Sequence, residues 1–144
     1  MWIYYAVGAA MTWGLEYALL DKILGGKVSP VFLRTLQMVA GAISFGAAAL
    51  LSGRFFEQAQ YVLADRTILP LVMLSLVTFS LANFLIALSI RDGTALLAGL
   101  VEMSYPIFIT VFSLLLFGML DVSLATIGGG ALILIGIAVL KYAA

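Results

Sequence analysis

The chain has 144 residues, of which 65% are hydrophobic and 10% charged, with a mean hydropathy of +1.22. Soluble domains carry roughly 25% charged residues, so this composition excludes a water-soluble globular protein and points to an integral membrane protein. Seven basic and seven acidic residues cancel, leaving no basic run or tail for nucleic acid, and the chain has neither cysteine nor histidine.

Five apolar segments follow one another, at residues 2–23, 30–52, 67–90, 94–118 and 123–142. Each is about 20 to 25 residues, which matches a hydrocarbon layer of ~30 Å at ~1.5 Å per helical residue. Lipid offers backbone groups no hydrogen bonds, so all five are expected to be helices. The expectation is an all-α membrane protein, a single domain over residues 1–144 with five transmembrane helices.

The first segment lacks a basic n-region and carries Glu16, so it is expected to be a retained span and not a cleaved signal. Trp13, Glu16 and Tyr17 recur at helical spacing, so one face holds two aromatic rings and an acid. Such a face suits a cationic or amine ligand; the alternative is a pair of interface anchors with Glu16 snorkelling toward the headgroups. Asp21, Lys22, Gly25, Gly26 and Lys27 then form a polar connection.

Ser29 and Pro30 read as the N-cap and first residue of the second helix. Arg34, Gln37, Gly41, Ser44 and Ala48 fall on one stripe of it, a polar and small face that should point inward. Arg34 sits about one turn inside the membrane edge, placed either to pair with an acid or a substrate carboxylate or to snorkel. Residues 53–66 alternate Phe55, Phe56, Val62 and Leu63 with charge and glutamine, which predicts a short amphipathic piece on the membrane surface. In the third segment Ser80, Asn83 and Ala87 share a face, where Asn83 serves either as glue between helices or as pathway lining. Arg91, Asp92 and Gly93 make a polar turn, and Thr94 is a cap for the next helix.

The stretch 94–118 is the centre of the chain, because Glu102 and Pro106 lie near its middle. Its thirteen Leu, Ile, Val and Phe residues, at roughly −0.3 to −0.6 kcal/mol each, outweigh one acid at about +3, so the segment still inserts. Proline has no N–H to give the carbonyl four residues back, which belongs to Glu102 itself. A carboxyl group and a bare carbonyl thus share one turn. An acid at that depth is read as functional; the alternatives are a structural bond to a neighbouring helix and an ordinary proline kink. In the last segment Gly129 and Gly136, seven apart, put two small residues on one face for packing or dimerisation.

Read in order, these features resemble the drug/metabolite transporter superfamily in its EamA-like branch. The resemblance rests on Trp13-Gly14 with Tyr17, on Arg34, on Ala87-Leu88 before a short turn, and most closely on residues 104–139. There Pro106, the run to Phe117-Gly118, Ser123, Gly129 and Gly136 follow in the family's order. One departure stands out: where the family has a glutamate after the glycine closing helix four, this chain has Met119 and Leu120, then Asp121.

The resemblance implies one five-helix repeat of an inverted-repeat transporter, paired as a homodimer or with a sister chain, multi-pass in the cell (inner) membrane. The small multidrug resistance family assembles in this way and uses a first-helix glutamate for proton-coupled cation export; Glu16 lies in a similar region. Charge bias, with Arg54 and Arg66 on one side and Lys22, Lys27, Arg91 and Lys141 on the other, favours a cytoplasmic C-terminus. It is small enough for the dual insertion an antiparallel dimer needs.

The expected activity is proton-coupled secondary transport of amines, amino acids or cationic metabolites, without cofactor or metal. Glu102 and Glu16 would bind the proton or substrate between aromatic walls of Trp13, Tyr17 and Tyr105. Asn83, Gln37 and Arg34 would add polar contacts, and Pro106 would be the hinge. Two rivals stand beside it. A non-transporting scaffold would assemble through helix five, while an intramembrane enzyme has no nucleophile and base at recognisable spacing.

Overall fold

The computed structural model describes residues 1–119 and 123–143. Its elements are helices throughout: α1 (Trp2–Leu24), α2 (Pro30–Leu51), α3 (Phe55–Ala64), α4 (Ile68–Asp92), α5 (Ala95–Glu102), α6 (Tyr105–Phe117) and α7 (Leu124–Ala143). They fall into two compact units, one of residues 18–92 and one of residues 1–17 with 93–144, so the boundary lies within α1 after Tyr17.

In the unit of residues 18–92, local chemistry sets where the helices begin. The Ser29 hydroxyl accepts from the Phe32 N–H at 3.2 Å and Pro30 opens α2, so cap and first turn agree with the sequence. Gly53, at φ 71°, supplies the left-handed residue that turns the chain after α2. The segment after it is the short helix α3, and one carboxylate oxygen of Asp65 then takes the N–H groups of Thr67 (2.8 Å) and Ile68 (3.1 Å) to start α4. Helices α2 and α3 both pack on α4. Asn83, Ala87 and Ile90, at i, i+4 and i+7, form its buried stripe, and α4 runs through Arg91 to Asp92 where the sequence predicted a turn.

In the other unit, Thr94 caps α5 by accepting from the Leu97 N–H at 3.3 Å. The single helix expected over 94–118 is instead broken. Ser104 N–H bonds to the Val101 carbonyl (3.1 Å) and Ile107 N–H to the Ser104 carbonyl (3.0 Å), three residues back in each case, so the ladder tightens and α5 ends at Glu102. Pro106, second residue of α6, is the cause, since its nitrogen can close no bond onto Glu102. Gly118, at φ 64°, ends α6 with its N–H on the Leu114 carbonyl while Met119 N–H reaches Ser113. Leu120 and Asp121, where the chain departs from the family's glutamate, lie outside the described residues.

Buried apolar side chains among the described residues are few: Tyr17 and Ala98 in one unit, and Leu20, Leu24, Ala87 and Ile90 in the other. Large side chains such as Phe45, Leu51, Leu115 and Leu132 stay exposed at 71 to 88%, which in water would be an aggregation surface and in lipid is not. Three helical stretches have the length and apolar character to cross a membrane: Pro30–Leu51, Ile68–Asp92 and Ala95–Phe117 taken through its break. The expectation of five spans is thus met in part, by these three among the described residues. Helix α1 has 23 residues, but Glu16 and its rings (Trp2, Tyr4, Tyr5, Trp13, Tyr17) dilute its apolar character.

Candidate functional site

Two clusters of polar side chains stand out, one in each unit. In the unit of residues 1–17 and 93–144, α5 brings Gly99 and Glu102 onto one face at i and i+3. The Tyr17 hydroxyl donates a hydrogen bond to the Glu102 carboxylate (Oε2). The Tyr17 ring lies over Gly99, where a Cβ would sit 3.5 Å from its Cδ2 and 3.7 Å from its Cε2. On its other side the ring meets Trp13 edge-on, with centroids 5.8 Å apart and planes at 75°. Tyr17 is buried to 8% exposure, while Glu102 is exposed.

The break follows this acid directly. Tyr105, 58% exposed, opens α6 beside Pro106, and Glu16, half-buried, precedes Tyr17 on α1. The arrangement offers a cationic ligand a carboxylate, two rings and a helix end. Among the described residues no three acids, cysteines or histidines gather to hold a metal ion.

In the unit of residues 18–92, Arg34 is buried to 7% exposure between α2 and α4. Its Nε donates to the backbone carbonyl of Asn83 at 2.9 Å and its Nη1 to Gln37 Oε1 at 2.7 Å. A guanidinium out of water needs such acceptors, and here one comes from its own helix and one from the neighbour. The Asn83 amide donates to the Phe79 carbonyl one turn back, at 3.0 Å. Beside Arg34 runs an open groove lined by Val31, Thr35, Met38, Ser80 and Phe84.

The structure therefore joins Arg34, Gln37 and Asn83 in one cluster and Trp13, Tyr17 and Glu102 in another. Gly129 and Gly136 are exposed, and a Cβ at either would meet nothing within 4 Å. The close approach of α7 falls on their neighbour Gly130, whose Cβ would be 3.6 Å from Ile107 Cγ1. Sequence reasoning missed both Gly130 and Gly99. For Gly99 the available signal was its place one turn before the acid.

A family model described as the EamA-like transporter family matches residues 1–142. Comparison with curated proteins and with solved structures brings no match.

Proposed function

The chain belongs to the EamA-like transporter family, and from that premise, a multi-pass membrane transporter of small molecules and not an enzyme, we propose a proton-coupled secondary carrier of amine-bearing metabolites. The observation that carries this reading is the exposed Glu102 carboxylate at the break between α5 and α6, inside a stretch of 23 residues apolar enough to span the bilayer. A carboxylate in hydrocarbon is costly, and a proton or a cationic passenger relieves that cost. Competition of the two for one acid couples their fluxes.

In this reading α1 and α7 complete a five-helix repeat in the cell (inner) membrane, and a second copy or a sister chain supplies the opposite repeat. Carriers of that construction bind near the midplane between repeats, often at interrupted helices, and the α5–α6 break is such an interruption. An exposed acid also needs cover, which the partner repeat provides. Trp13, Tyr17 and Tyr105 form the aromatic walls, and Pro106 keeps the break open for alternation.

The test is uptake of radiolabelled amines into liposomes holding the purified chain, with and without an imposed proton gradient. Glu102→Gln is expected to abolish gradient-driven uptake. If that variant, correctly folded, keeps the full gradient response, the role given to the acid is wrong.

A further inference from the structure

Glu102 is already engaged: the Tyr17 hydroxyl donates to its carboxylate while the ring sits against Gly99, one turn earlier on the same face of α5. We propose that Tyr17 is a built-in competitor for the carboxylate, a latch that an arriving ammonium group must displace, lifting the ring off Gly99 beside the helix break. This rests on the reading of Glu102 as the cation-binding group.

Three features make the pair a competitor and not a plain brace. The phenol carries no net charge, whereas an ammonium group adds Coulombic attraction to its hydrogen bond with the same carboxylate, so an ammonium can win the exchange. Glu102 is exposed, so a ligand reaches the carboxylate without unpacking the helices. Gly99 presents no side chain to the ring, so no side chain at that position interlocks with Tyr17 and opposes its displacement. A neutral hydroxyl on a ligand offers nothing that the phenol does not already give. The latch thereby restricts the passenger to N–H-bearing cations.

Removing the competitor should tighten binding. The full-length chain in nanodiscs is titrated calorimetrically with methylammonium chloride. Tyr17→Phe, which keeps ring and packing, is expected to bind it about tenfold or more tightly than the parent, the factor that corresponds to losing a hydrogen bond to a charged group. Gly99→Val, which keeps the hydroxyl but drives the ring from its seat, is expected to shift affinity the same way. Trp13 emission, read with Trp2→Phe as background, should change on methylammonium addition as the Tyr17 edge departs, a signal that a purely structural tyrosine does not produce. Glu102→Gln separates the two layers of the argument. If it binds methylammonium as the parent does, Glu102 is not the cation site and the latch falls with it. If it abolishes binding while Tyr17→Phe and Gly99→Val leave affinity equal or weaker, the latch alone is overturned.

Discussion

Arg34 and Glu102 are both charged groups in membrane-spanning helices, yet they are held in opposite ways. The guanidinium is buried and fixed by acceptors from two helices, including a backbone carbonyl that cannot move away. The carboxylate is exposed, and its hydrogen bond comes from a side chain of another helix, the Tyr17 hydroxyl of α1. In the proposed carrier the first arrangement braces the helices and the second leaves the charge open to a ligand.

The sharpest test of that contrast is to remove each charge and watch which property fails. Glu102→Gln should cut transport by more than tenfold while thermal stability changes by less than about 1 kcal/mol, as expected of an exposed position. Arg34→Met should do the reverse, lowering stability by about 1–3 kcal/mol through the acceptors it leaves behind, seen as a drop in Tm in detergent. Arg34→Lys should not restore it, because an ammonium lacks the planar fork that spans Gln37 and Asn83. Equal transport defects in both variants at unchanged stability would break the comparison.

The packing of α7 gives a smaller version of the same test. Gly130→Leu should destabilise the folded chain by about 1–3 kcal/mol, since a Cβ there already reaches van der Waals contact with Ile107 at 3.6 Å and the longer side chain has to displace it. Gly129→Leu should leave the Tm of the isolated chain in place and alter only the oligomer seen by crosslinking. Smallest is Gly118→Ala, where a left-handed residue at φ 64° should cost about 1 kcal/mol, readable as a slight Tm shift.

Local signals carried most of the secondary structure. Ser29 with Pro30, Thr94 as cap and the apolar runs place the helix starts, because caps and periodicity act within a few residues. Pro106 pointed to a defect near Glu102, but the sequence suggested a bend. The complete stop at Glu102, with its three-residue bonds at Ser104 and Ile107, is seen only in the structure. Long-range pairing was not legible. Tyr17 and Glu102 are 85 positions apart, and nothing in either segment marks the other as its partner. Gly99 reads in isolation as a weak helix residue, and its use as a seat exists only once a ring arrives. The bond from Arg34 to the Asn83 carbonyl was likewise not legible, since it joins positions 49 apart.

The break between α5 and α6 also changes the field inside the bilayer. An uninterrupted helix presents its macrodipole at the two membrane surfaces, where water screens it. Division after Glu102 creates two extra poles within that stretch, a partial negative end on α5 and a partial positive end on α6. The negative pole coincides with the carboxylate and adds to its pull on a cation. The positive pole a few residues on would repel it, so in the proposed carrier the same break would both attract a positive passenger and give it a direction of approach.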